Sequence, residues 1–244
     1  MLGLGLQATL RPKAEGAARP AQDGLVLADN FRKSPVNDEL GLTFPSNGSA
    51  EFNGTSDYID TGAQLISTNH TFAAWVYRDS SGTNDVNYVS SMRDGLNDGV
   101  LFFSRSNTSI SVKFNLQTEI QYTSFTSDEW HYIAGTYDGT TEKFYFNGSL
   151  VGTGTFTDTL SVTANTIIGR DSGSGTSNFW DGNLANVAIW NRALTSDEIN
   201  SVMWKGYDSL TASEQTGLQA WYALDNITGT DVPDSTGNYN GTAY

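Results

Sequence analysis

The chain has 244 residues and no cysteine, so it is large enough for one all-β domain with appendages and cannot rely on disulfides. Its 27 acidic residues against 13 basic ones give a net charge of −14, which argues against nucleic acid or an anionic membrane as a direct partner. No apolar run reaches the roughly 18 residues that a membrane-spanning helix needs.

Residues 1–47 read as an extended N-terminal arm. Pro12, Pro20, Pro35 and Pro45 are spread along it, and proline opposes both helix and sheet interiors. The start lacks a basic n-region, and Gly3 and Gly5 break its apolar run, so it is expected to be a mature start rather than a secretory signal. The arm carries Arg11, Lys13, Arg19, Arg32 and Lys33 on an otherwise acidic protein. A basic arm suits docking on an acidic neighbour; a solvated leader is the other reading.

Strands are predicted at Ala50–Phe52, Tyr58–Thr61, Thr71–Arg78, Asn87–Met92, Val100–Arg105, Ser109–Asn115 and Glu119–Thr123. Thr71–Tyr77 is apolar on both faces and should be a central strand. Glu129–Thr155 then holds three aromatic and β-branched runs separated by Asp138-Gly139 and Asn147-Gly148. Both pairs signal type I′ hairpins, so the stretch reads as a three-stranded meander. Side-chain alternation sets Trp130, Tyr132, Ala134 and Thr136 on one face, and His131, Ile133, Gly135 and Tyr137 on the other. Asn165–Gly169 and Asn183–Asn191 complete the strands. Core packing is the expectation for Trp75, Trp130, Trp190 and Trp221.

Two capping boxes follow. Thr195-Ser196-Asp197-Glu198 opens a helix running to about Trp204, with Ile199, Val202 and Met203 inward; Thr211-Ala212-Ser213-Glu214 opens one more turn, stopped by Gly217. The last apolar stretch, Leu218–Leu224, must be buried. It closes its own sandwich, completes a neighbour's sheet, or is the remnant of a truncated repeat; closure within the chain is favoured.

Three pieces carry a family resemblance, in order: Ala50–Ile59, Trp130–Gly154 and Trp180–Leu194. Together they resemble the laminin-G-like, concanavalin A-like lectin domains over roughly residues 48–204. The resemblance implies an all-β, antiparallel jellyroll β-sandwich with short C-terminal helices. It divides the chain into an arm at 1–47, the sandwich at 48–204, and a linker, short helix and closing strand at 205–244. It also implies a calcium site at the sandwich rim. Asp57 matches the acid after the opening strand, but Ala185 and Asn186 stand where the closing strand carries acids, leaving Asp181 and Asp171 as substitutes. Such a fold carries lectins, glycanases and structural parts alike.

The candidate glycan-binding residues are Trp180 and Phe179, beside the loop at Asp171–Gly175, and Tyr88. Glycanases on this fold use paired carboxylates. Here Glu119, Glu129 and Glu142 stand singly, and the chain has only His70 and His131. No enzyme is expected. A start without a signal and a Lys205-Gly206-Tyr207-Asp208 linker before the late stretch Leu218–Asp225 resemble single-domain virion proteins of tailed phages, a resemblance that implies a decoration or fibre protein of a large assembly. Its expected partners are other structural proteins, further copies of itself and surface glycans, and its expected location is extracellular or on a virion surface. A secreted carbohydrate-binding module is the alternative, and a glycoside hydrolase comes third.

Overall fold

The computed structural model describes residues 26–28, 48–81, 86–94, 99–115, 117, 119–157, 159–173 and 178–244. The five basic arm residues, Arg11, Lys13, Arg19, Arg32 and Lys33, lie outside that set.

Two antiparallel sheets form a sandwich. The first contains β1 (Val26–Ala28), β2 (Ser49–Asn53), β4 (His70–Arg78), β9 (Trp130–Tyr137), β10 (Thr141–Phe146), β11 (Ser149–Thr155), β13 (Asp181–Trp190) and β14 (Leu218–Tyr222). The second contains β3 (Ile59–Asp60), β5 (Asn87–Met92), β6 (Val100–Ser106), β7 (Ser109–Phe114), β8 (Ile120–Tyr122), β12 (Ile167–Ile168), β15 (Asp231–Val232) and β16 (Gly241–Ala243). The order is β1-β2-β13-β4-β9-β10-β11 in one, with β14 also on β13, and β15-β16-β3-β12-β5-β6-β7-β8 in the other. The arm is thus not wholly outside the sheets, because the backbone of 26–28 pairs with β2.

Strand β13 organises the first sheet. One edge pairs with β4 from Gly182 to Trp190. The other edge is shared: β2 pairs with Asp181–Leu184, and β14 with Val187–Trp190. Between those segments the register with β4 slips, and Asn186 takes a positive φ of 47°. This bulge lies where β13 changes partners. The late strand β14 therefore lies in line with the opening strand β2, inside its own chain's sheet.

The meander forms at Trp130–Thr155, with one difference. Asn147 and Gly148 have φ of 48° and 79°, as a type I′ turn requires. At the first turn only Gly139 is positive, and the Asp138 carboxylate accepts from the backbone N–H of Thr140 and Thr141 at 2.9 and 2.8 Å. An Asx-type loop replaces the tighter turn because the aspartate supplies its own hydrogen bonds.

The main core lies between the sheets, where Phe72 stacks on Phe102 at 4.3 Å. Gly135 is required there: a Cβ on it would stand 2.4 Å from the Phe102 ring. The C-terminal segment adds Ala220, Tyr222, Leu224, Val232 and Ala243 to the same core.

Trp75, Trp130, Trp190 and Trp221 are buried as expected, but not between the sheets. They form a second core on the outer face of the first sheet, roofed by α1 (Ser196–Val202) and α2 (Ala212–Gln215). Both helices carry full capping boxes, from Thr195 and Thr211. Trp75 Nε1 donates to the Met203 carbonyl at 2.9 Å and Trp190 Nε1 to that of Glu214 at 2.7 Å, so two indoles pin the roof to the sheet. Lys205 ties its two halves through Glu214 at 2.7 Å.

One core residue breaks the apolar pattern. Glu142 shares the inward face of β10 with Phe144 and Phe146, opposite Tyr137, and neither carboxyl oxygen has a hydrogen-bond partner among the described residues. Burial raises its pKa from 4.5 to about 8. Between those values the folded chain holds a proton that the unfolded chain releases, so this group's contribution declines as pH rises from about 4.5 to about 8. The thermal midpoint of the protein relative to that of Glu142→Gln should therefore fall between about pH 5 and about pH 8, the comparison cancelling the opposite contribution of the buried histidines; differential scanning calorimetry of both reads it.

Candidate functional site

The outer face of the first sheet is roofed, whereas among the described residues no helix lies over the outer face of the second. Alternation along β5, β6 and β7 turns Tyr88, Leu101, Phe103 and Lys113 outward, because Phe102 and Val112 point into the core. Tyr88, Leu101 and Phe103 form a small outer cluster with Val86. The Tyr88 and Phe103 rings lie 5.3 Å apart at 30°. Arg93 lies over Tyr88 at 5.6 Å, and Arg105 over Phe103 at 5.3 Å, in cation–π geometry.

These residues, with Lys113 and Asn178, line a cleft of about 380 Å³. Each guanidinium is held by a carboxylate behind the lining. Arg93 Nε donates to Asp171 at 2.7 Å, with a second ion-pair contact from Nη2, and Asp171 is fully buried. Arg105 Nε donates to both Glu119 oxygens at 2.7 and 2.9 Å, and Nη2 adds a further contact. Burial pushes Glu119 up, but hydrogen bonds from Arg105 and the charges of Arg105 and Lys113 outweigh it and hold the carboxyl below its ordinary range. Burial, aided by Asp171, raises the Tyr88 phenol, which stays neutral. Ser91 and Ser172 lock the loop after β12 to β5, the Ser172 N–H donating to Ser91 Oγ at 2.6 Å.

The structure scatters the residues singled out in the sequence. Trp180 is no surface candidate for a glycan: it is wholly buried in the inter-sheet core, because the strand it precedes runs through the middle of the sheet. Phe179 is also buried, 6.4 Å from Tyr58. Of the three aromatics, only Tyr88 lines the cleft, and it does so as a floor at 7% exposure.

The proposed calcium ligands do not assemble. Asp57 accepts from the Asn53 N–H at 3.2 Å, from Asn53 Nδ2 at 2.8 Å and from Ser56 Oγ at 3.1 Å. Asp181 pairs with the same Asn53 in the sheet, whereas Asp171 is engaged by Arg93. Among the described residues no three His, Cys, Asp or Glu side chains gather as a metal site. Calcium wants six to eight oxygens, and this set does not fit it. Both histidines are packed groups: burial lowers His70 to about 4 and also depresses His131.

The sequence reading missed Arg93, Arg105 and Lys113. For Arg105 the available signal was its place after Leu101 and Phe103 in the alternating set of a predicted strand; Arg93 follows the end of its strand and Lys113 has no outward aromatic beside it in its own, so neither carried one. It also missed an aromatic pair further along the same face. Tyr58 and Tyr244 exchange backbone hydrogen bonds and stack at 4.7 Å and 5°, with Arg170 3.9 Å over Tyr58.

Residues 53–200 match the family described as the concanavalin A-like lectin/glucanases superfamily. No curated protein sequence matches the chain. A proposed carbohydrate-binding protein from Bacteroides ovatus superposes with a TM-score of 0.64 at 17% identity, covering 80% of this chain and 57% of its own. The chain therefore spans little more than half the length of that relative. The CBM40 of the Ruminococcus gnavus IT-sialidase, bound to α2,3 sialyllactose, superposes with a TM-score of 0.53 at 12% identity, over 64% of this chain and 96% of its own. The heptameric SAP-like pentraxin of Limulus polyphemus gives 0.51 at 17%, over 63% and 80%. At these identities the likeness is one of fold.

Trp180→Ala should destabilise the protein by about 3–5 kcal/mol, the range for emptying a large core site, and so should act on folding rather than on any ligand. Urea unfolding monitored by fluorescence would show it as a lowered midpoint.

Proposed function

From the premise that the chain belongs to the concanavalin A-like lectin/glucanases superfamily, we propose that it is a carbohydrate-binding module that holds a glycan on the outer face of the second sheet without transforming it. The observation that carries this reading is the cleft itself. Arginine forks held in place by carboxylates stand on an aromatic floor, and Lys113 and Asn178 complete the lining. Fixed planar donors of this kind bind oxygen-rich ligands with little loss of side-chain freedom. The carbohydrate-binding relatives of like fold support the reading.

Hydrolysis is disfavoured by the state of the carboxylates. A glycanase needs one of its pair held protonated as an acid. At this cleft Glu119 is drawn the other way, and Asp171 is buried against Arg93.

The assembly reading, a decoration or fibre protein of a tailed-phage virion, rests on the resemblance of the start and of the linker and late strand to virion proteins and on the basic arm at 1–47, of which only 26–28 are described. It ranks below glycan binding for that reason. The two are compatible, since a glycan-binding face on an extracellular or virion surface is an adhesion device. No helix among the described residues is long and apolar enough to cross a membrane.

Titration of isotope-labelled protein with the glycan it retains best on an immobilised panel should move the amide signals of β5, β6 and β7 and leave β9 and β10 in place. Replacing both Tyr88 and Phe103 by alanine, which removes the floor under the two guanidiniums, should weaken retention about tenfold or more in protein that melting curves show to be folded, equivalent to about 1.4 kcal/mol. Shifts confined to the first sheet would refute the assignment.

A further inference from the structure

Among the described residues, the lining of the cleft holds three cations and no carboxylate, in a chain with 27 acids. Five of the 13 basic residues lie in the arm; of the other eight, three line this cleft. A surface otherwise biased toward negative charge therefore presents a local cationic cavity.

The three cations are not equivalent. Arg93 is closed off: 6% exposed, it meets the buried Asp171 through Nε and Nη2. Arg105 is open. Its side chain is 48% exposed, Nε and Nη2 are taken by Glu119, and Nη1 has no hydrogen-bond partner among the described residues. Lys113 makes no hydrogen bond among the described residues, and its charge reaches the same Glu119. One carboxylate thus serves two cations, leaving one positive charge and two sets of donors turned to the cleft.

The aromatic floor points the same way. Tyr88 and Phe103 are only 7% and 3% exposed, each under a guanidinium, so little ring surface remains for the apolar face of a neutral sugar. The groups that a ligand meets first are ionic donors.

Resting on the carbohydrate-binding reading above, we propose that the cleft takes an acidic saccharide, one bearing a carboxylate, and seats that carboxylate between Arg105 Nη1 and Lys113 Nζ. A charge-assisted contact to two donors accounts for both unused groups and neutralises the residual charge. The neutral part of the sugar then lies toward Arg93 and Asn178.

The test compares pairs matched in everything but their carboxylates: oligogalacturonate against its methyl ester, and sialyllactose against its sialic acid methyl ester, by isothermal titration calorimetry at low and physiological salt. The acidic member should bind at least about tenfold more tightly in one pair or both. Lys113→Ala and Arg105→Ala should each remove most of that preference and reduce its salt dependence. Lys143→Ala, on the other sheet, should change nothing, and melting curves confirm that each variant is folded. Equal binding of acidic and neutral members overturns the acidic class but leaves the carbohydrate reading standing. Binding to none of the four probes overturns both. The net charge of −14 works against non-specific attraction of acidic sugars, so a positive result reports the cleft.

Discussion

Strand β13 is the constraint on which the remaining structure depends. Its backbone groups are satisfied by β4 on one edge and by β2 and β14 in succession on the other. Each ladder hydrogen bond contributes only about 0.5–1.5 kcal/mol net, but a buried strand that lost a partner would strand its polar groups at a higher cost. β2 covers only the first half of β13, so without β14 the edge from Val187 to Trp190 would be unpaired. The chain resolves this by bringing its last quarter back to the strand's second half, and the bulge at Asn186 marks the exchange.

That return also decides which face of the sandwich stays open. To reach the slot beside β13, the chain crosses the outer face of the first sheet, and its helices cover the tryptophans there. Trp75 and Trp190 each satisfy an indole N–H on this segment, which makes the roof part of the domain. Among the described residues no helix covers the second sheet over β5 to β7. Its outward residues are accordingly free to be something other than core: a few aromatics shaded by arginines, with carboxylates fixing the arginines from behind.

Such an arrangement is rigid before any ligand arrives. An exposed arginine loses considerable rotamer freedom on binding, and a guanidinium already held by Glu119 or Asp171 loses less. The ion pairs also keep the cleft from being a bare cationic patch, so the surplus charge is confined to the side where Arg105 and Lys113 share one carboxylate. This local excess, rather than the count of aromatic residues, distinguishes the face from the surface around it.

Much of the fold was legible in local chemistry. The Asn147-Gly148 turn, the two capping boxes, the alternation in Trp130–Tyr137 and the apolar run at Thr71–Tyr77 each have short-range causes, and each appears where those causes place it. The family resemblance added the sandwich itself. Period-two alternation separates a strand's residues into two sets, but it does not say what covers each set. For that reason alternation assigns the tryptophans to a core without saying which, and they lie in the second one, under helices, while Trp180, a glycan-binding candidate by its place in the sequence, lies between the sheets. The candidate site was less legible still. Arg93 and Asp171 are 78 residues apart and meet only because β5 and β12 are neighbours. By itself the sequence determined most of the strands, the caps and an acidic, cysteine-free all-β chain, and its family resemblance implied the jellyroll. Which aromatics remained near a surface, which carboxylates were spent on arginines and where positive charge collected were decided by the tertiary structure, because each depends on pairs of residues distant along the chain.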